Sequence, residues 1–210
     1  MTVKLNVSST DIIDGRYPNL ETGNDYNFAV EMIPLTSPKI VNVETPALNY
    51  MGDGIYEVFA QKKTPLLTGC GFQFFDVGFN VYSEDREDNL LFSVPAGFGF
   101  QSHARLKLSS INFSATSDEN GNFIPIIYSW LVSEVSLLDA PWIESIDDLG
   151  NHIYIRDPLR MRYITKRDTN AVYDSGGIAD YVIDLLLMDK PPQVPLLRCT
   201  GSHNMGKPLR

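Results

Sequence analysis

The chain has 210 residues, 43% of them hydrophobic and 20% charged, with a formal net charge of −9. That is enough apolar material for one large β domain or two small ones, and the acid excess argues against broad binding to duplex DNA, which needs Lys and Arg to neutralise phosphates. No run approaches the ~18 apolar residues of a membrane helix, Met1 to Leu5 opens no signal-peptide core, and two cysteines, Cys70 and Cys199, are too few for a disulfide scaffold or structural zinc site.

Thr2 to Ser8 alternates Val3, Leu5 and Val7 and predicts a strand. Asp11 to Asp25 is rich in turn residues, and Tyr26 to Ile33 predicts a second strand ended by Pro34. Pro34 to Pro46 leaves room only for a short strand at Ile40 to Val43. Met51-Gly52-Asp53-Gly54 predicts a turn, followed by a strand over Ile55 to Gln61 that sets Tyr56, Val58 and Ala60 on one side. Leu66 to Tyr82 is the most aromatic stretch and reads as one strand with a phase change near Phe74. Ser83 to Asn89 reads as an exposed acidic turn, with Leu90 to Val94 as the partner strand beyond it.

Arg105 to Leu138 reads as a long hairpin, because Asn120-Gly121 suits a type I′ turn with φ > 0 at both central residues. That turn sets Phe113 opposite Tyr128, Ile111 opposite Trp130 and Lys107 opposite Glu134. On the other face it sets Leu108 opposite Ser133 and Leu106 opposite Val135. The apolar side swaps partway along, which predicts a ribbon bent between two sheets, with Ser109-Ser110 as a bulge site. Ile143 to Asn151 reads as an acidic connector, and Ile153 to Arg156 and Met161 to Arg167 as strands. Ser175 to Asp189 is the best helix candidate, on a stripe of Ile178, Tyr181, Val182, Leu185 and Leu186; the same residues also allow a buried strand from Tyr181 to Met188. Lys190 to Arg210 holds four prolines and two glycines. The expected fold is therefore mainly β, an antiparallel sandwich or distorted barrel with at most one short helix. Residues 1–189 form its single domain, and 190–210 an extended Pro-rich C-terminal arm.

Catalytic motifs do not survive inspection. Tyr173-Asp174-Ser175-Gly176-Gly177 overlaps the core of a trypsin-like nucleophile, but no Ala-His-Cys base motif accompanies it, and a turn or helix cap accounts for it. Asp118, Asn120 and Asn122 mimic the start of a calcium loop, but Phe123 stands where glycine is required and Ser129 where the bidentate glutamate belongs. His103, His152 and His203 lack ligand spacing. No enzyme activity, cofactor or metal is expected.

The five basic residues Arg156, Arg160, Arg162, Lys166 and Arg167 crowd a short stretch. They suit contact with phosphates or an acidic partner surface, or pairing within the chain with the acids of Ser83 to Asn89 or Glu144 to Asp148. The residues expected to touch a partner are Arg160, Arg162 and Lys166, together with Leu196, Leu197 and Met205 of the arm. An arm that cannot bury a core of its own can lie across a neighbour and order on contact. The leading expectation is a non-enzymatic structural protein that assembles as a homo-oligomer or with other structural proteins. By analogy of class it is a virion component of a bacteriophage head, decoration, connector or tail, placed in the particle or the host cytoplasm, without membrane contact. The alternative is a single-stranded nucleic-acid binder on an OB-like barrel, stacking bases on Phe113, Tyr128 and Trp130.

Overall fold

The structure, a computed structural model, describes residues 1–63, 72–84, 90–109, 115–116, 124–157, 159–170, 173–174 and 177–195. In chain order the strands are β1 (Thr2–Ser8), β2 (Asp25–Phe28), β3 (Val30–Pro34), β4 (Lys39–Ile40), β5 (Ala47–Gly52), β6 (Ile55–Lys63), β7 (Phe72–Asp76), β8 (Asn80–Glu84) and β9 (Gly99–Leu108). They continue as β10 (Ala115–Thr116), β11 (Tyr128–Asp139), β12 (Trp142–Ile146), β13 (His152–Arg156), β14 (Arg162–Lys166), β15 (Tyr173–Asp174), β16 (Gly177–Ile178), β17 (Asp180–Leu187) and β18 (Val194–Pro195). One short helix, α1 (Ser9–Ile13), follows β1 with Ser8 as its N-cap, and Leu90–Ser93 forms a 3-10 turn.

The expected mainly β fold is what the chain adopts: a closed five-stranded barrel joined to a curled half-barrel. The barrel runs β9-β3-β8-β7-β6 and returns to β9, with β4 and β5 added outside that ring. Its seam is the parallel pairing of β3 with β8 at Glu31 and Tyr82. The half-barrel runs β1-β17-β11-β14, with β2 also paired to β11. The Asp53-Gly54 turn joins β5 to β6, and both residues have positive φ, 50° and 70°, as a type I′ turn requires.

One apolar cluster fills both curled sheets. Val3, Leu5 and Val7 of β1, Tyr181, Ile183 and Leu185 of β17, and Trp130, Val132, Val135 and Leu137 of β11 meet Val58, Phe75, Phe100 and Leu106 of the barrel. Strands β7 and β8 are buried on both faces, because Phe74 and Tyr82 pack under Ile126 and Ile127 while Phe75 and Val81 face the main core. That double burial is the phase change visible near Phe74 in the sequence.

Several strands pair differently from the sequence reading. The proposed hairpin of Arg105 to Leu138 does not pair with itself among the described residues: Lys107 faces Glu31, Leu106 faces Met32, Trp130 faces Tyr26 and Leu187, and Glu134 faces Asp184. Its two halves lie in different sheets, and the Asn120-Gly121 turn, Ile111 and Phe113 fall outside the described residues. The swap of apolar side has another cause. A register shift between Val132 and Glu134 puts Ser133 into a bulge, so Val132 and Val135 both face the core. The bend between sheets occurs at Ala29, where Tyr26 to Ile33 divides into β2 and β3.

Ser175 to Asp189 carries no helix among its described residues. Tyr181, Ile183 and Leu185 alternate into the core, and β17 is hydrogen-bonded on both sides, by β1 and β11. Two strong neighbours outweigh a helical stripe. Leu66 to Tyr82 holds a hairpin, β7 to β8, turning at Gly78 with φ of 99°. Leu90 to Val94 is a 3-10 turn and not the partner strand. At the start of the proposed arm, Gln193 exchanges backbone hydrogen bonds with Ile127, and β18 pairs β10.

Two predictions follow from this packing. A Cβ at Gly99 would sit 2.8 Å from the Val41 carbonyl oxygen and 2.8 Å from Val43 Cγ2. Gly99→Ala is expected to lower stability by about 1–3 kcal/mol, read as a lower urea midpoint at unchanged m-value. Burial also pushes the phenols of Tyr17 and Tyr56 up to about 12, and that of Tyr82 up as well. Their ordinary value is 10.0, so the neutral phenols stabilise the fold fully below that pH. This contribution is lost as the pH rises from about 10 towards 12. Denaturant midpoints are expected to fall across that interval, with tyrosinate absorbance appearing late in folded protein; flat midpoints would contradict it.

Candidate functional site: a projecting ribbon and a tyrosine-rimmed groove

The hairpin of β11 and β14 does not end where the half-barrel ends. It continues through Ala140 and Pro141 into β12, turns, and returns as β13, a two-stranded ribbon whose outer edges meet no third strand among the described residues. Pro141 has no N–H for the ladder, so the pairing breaks there, and Asp157 bridges the gap by donating to the Pro141 carbonyl at 2.9 Å. The connector expected at Ile143 to Asn151 is thus half strand and half turn.

The ribbon is held at both ends. At its base, Arg156 stacks 4.2 Å from the Trp142 ring centre and donates to the Ala140 carbonyl at 2.7 Å. At its tip, Asp147 accepts hydrogen bonds from the backbone N–H groups of Leu149 and Asn151 and from the Asn151 side chain. These donors hold its carboxyl below the usual range, the Asn151 side chain most strongly. Gly150, with φ of 82°, completes the turn.

This ordered element presents apolar side chains to solvent. Among the described residues, five of seventeen large exposed hydrophobics lie on the ribbon and its tip, Ile146, Leu149, Ile153, Tyr154 and Ile155, and Leu159, Met161 and Tyr163 follow on the segment leading from it into β14; Leu149 and Leu159 are 86% and 93% exposed. Ile143, Ser145, Ile153 and Ile155 share one ribbon face. Glu144, Tyr154, Ile146 and His152 share the other, where His152 Nδ1 lies 2.6 Å from Glu144.

The sequence-selected cations flank this ribbon. Arg160 pairs with Asp157 at 2.5 Å and Arg162 with Asp139 at 2.5 Å, so among the described residues their partners are other than the expected acids at Glu144 to Asp148, and Asp85 to Asp88 lie outside those residues. Arg160 holds the Asp157 carboxyl below its ordinary range. No described carboxylate pairs with Lys166, which shares a face of β14 with Arg162. Leu196, Leu197 and Met205 lie outside the described residues, as do Cys70, Cys199, Ser175 and the calcium-loop mimic at 118–122. Tyr128 and Trp130, the stacking residues of the nucleic-acid alternative, are core residues at 8% and 0% exposure. Among the described residues no three His, Cys, Asp or Glu side chains gather as a metal site, and no helix is long and apolar enough to cross a membrane.

Beside the ribbon lies a groove of about 390 Å³ between the Asp53-Gly54 turn and the half-barrel. Tyr163, Ser136, Glu134, Val182, Asp184 and Lys4 line it from the half-barrel, opposite that sheet's buried face. Tyr50, Gly52 and Asp53 line it from the barrel. Tyr56 fixes the two sides together, accepting from the Lys4 N–H at 2.6 Å and donating to the Lys4 carbonyl at 3.0 Å. The sequence showed Lys4 as a member of the first strand and assigned Tyr50 to no element, and nothing in it brings them together.

The fold defines a class in broad terms: a closed β-barrel fused to a curled half-barrel that carries an apolar ribbon. Compared with family models, curated proteins and solved structures, the chain matches none.

Arg156→Ala removes the stacking cation and the Ala140 bond at the ribbon base. The expected result is faster amide exchange over Trp142 to Arg156, with the core strands unchanged; Arg156→Lys is expected to restore little, since an ammonium lacks the planar fork.

Proposed function

We propose that this chain is a non-enzymatic assembly protein that works through protein–protein contacts, with other copies of itself as first partner. The observation that carries this reading is the ribbon. An exposed apolar cluster on a pre-ordered element is unusual on a monomer's surface, where such patches mark interaction sites. Its tip and base are already fixed by Asp147 and Arg156, so little ordering entropy remains to be lost on docking. Both ribbon edges also have backbone groups able to extend a neighbour's sheet.

Around this contact, Arg160, Arg162 and Lys166 supply a polar rim, and the remainder of 190–210 supplies a second point of attachment through Leu196, Leu197 and Met205. The finer reading, a bacteriophage head, decoration, connector or tail component, rests on analogy with β-rich proteins that assemble by projecting arms. The nucleic-acid reading loses support, because Trp130 and Tyr128 are committed to the core.

Light scattering after size exclusion tests the proposal. The wild-type chain is expected to run as a concentration-dependent oligomer. Leu149→Asp combined with Leu159→Asp is expected to run as a folded monomer, because both side chains are solvent-exposed and neither supports the core. A monomeric wild type, or an oligomer indifferent to these substitutions, would overturn self-assembly through the ribbon.

A further inference from the structure

We infer that the tyrosine-rimmed groove is a receptor for an arginine side chain presented by a basic segment of a protein partner. The inference rests on the assembly reading only for the source of that arginine. The groove itself stands on independent observations.

The first is charge. Three carboxylates, Asp53, Glu134 and Asp184, face a single cation, Lys4. The Lys4 ammonium is already engaged by Asp184 at 2.5 Å. Among the described residues, no group bonds the Asp53 carboxylate, and Glu134 receives only hydroxyls, from Ser136 at 3.0 Å and Thr165 at 3.3 Å, both on Oε1. Asp53 and Glu134 are exposed carboxylates with no described cation beside them, so on a chain of net charge −9 the groove attracts an incoming cation.

The second is shape. Tyr50 and Tyr163 stand on opposite walls, one from each sheet, and are 41% and 50% exposed. Burial, and then the charges of Asp53 and Tyr50, push the Tyr163 phenol up, which places Asp53 and Tyr50 within electrostatic reach of that ring. Aromatic faces beside carboxylates select a flat cation that stacks and donates in a fork at once. Guanidinium meets both demands, whereas an ammonium meets only the charge. The volume of about 390 Å³ suits one such side chain with part of its backbone.

The walls are also set in advance. Asp53 is held by the type I′ turn, Tyr50 packs 5.2 Å from the Tyr56 ring, and Tyr56 is anchored on Lys4. A cation entering the groove finds its partners already placed.

The test is a titration of the full chain with N-acetyl-arginine-N-methylamide at low salt, followed by amide and tyrosine-ring NMR shifts, with the lysine and citrulline analogues as controls. Saturable shifts confined to Tyr50, Asp53 and Tyr163 are expected for arginine, with at least fivefold weaker binding of lysine and none of citrulline. Asp53→Asn and Tyr163→Ala are each expected to weaken binding roughly tenfold, and Tyr163→Phe to keep most of it. Absence of saturable shifts, equal binding of citrulline, or equal binding of lysine would overturn the inference. Repeating the titration on the Leu149→Asp, Leu159→Asp chain separates the readings. Its mass reports on the ribbon, and its arginine affinity, expected unchanged, reports on the groove.

Discussion

Ala29 is the residue on which the architecture turns. The chain pairs with the half-barrel up to Phe28 and with the barrel from Val30 onward, and nothing longer than one buried alanine separates the two. Two curled sheets tied so closely must bury their concave faces against a shared core, and the aromatic side chains at the crossing show how. Trp130 donates its indole N–H to the Phe28 carbonyl at 3.2 Å, stacks on the Phe28 ring, and meets Phe79 of the barrel hairpin edge-on at 5.2 Å. Each aromatic pair contributes about 0.5–1.5 kcal/mol beyond its burial. Losing the indole would open a cavity shared by both sheets, a class of change that costs about 3–5 kcal/mol.

The bulge at Ser133 is the second constraint, and it explains why the groove lies where it does. Without it, β11 would present Val135 and Leu137 to the side opposite Trp130. With it, the core face stays continuous, and Glu134 and Ser136 pass to the outer face beside Asp184 and Val182. One extra residue thus completes the core and supplies a wall of the groove. The same strand then runs on past the half-barrel to become the ribbon.

What the sequence revealed followed from local periodicity. Val3, Leu5 and Val7, and Tyr56, Val58 and Ala60, alternate cleanly because each strand has one buried face, and Asp53-Gly54 announced its turn through the backbone conformation it demands. The pairings were not legible, because strand partners are chosen by long-range burial. Lys107 and Glu134 are both plausible ladder neighbours by charge, yet Lys107 lies 3.2 Å from Glu31, which a residue near the start of the chain supplies. The ribbon was hidden for a different reason. Ile146, Ile153 and Ile155 look like core residues in any sequence window, and only three-dimensional placement shows that they reach solvent. The groove had no signal at all, since Glu134 and Tyr163 come from one sheet and Tyr50 and the Asp53 turn from the other.

That division bears on how the surface elements can be read. A residue used by the core reveals itself through periodicity, whereas these exposed residues show themselves only once the strands are placed. Arg160 and Arg162 attracted notice as a basic cluster, but Asp157 and Asp139 have largely neutralised them, and exposed pairs of this kind contribute little to stability. The unbalanced features lie elsewhere: apolar side chains on the ribbon with no core to enter, and the Asp53 carboxylate in the groove with no described cation to meet. Water tolerates both, but neither adds to the stability of the isolated chain. The ribbon's isoleucines gain only when another surface removes them from solvent, and Asp53 gains only when a cation arrives.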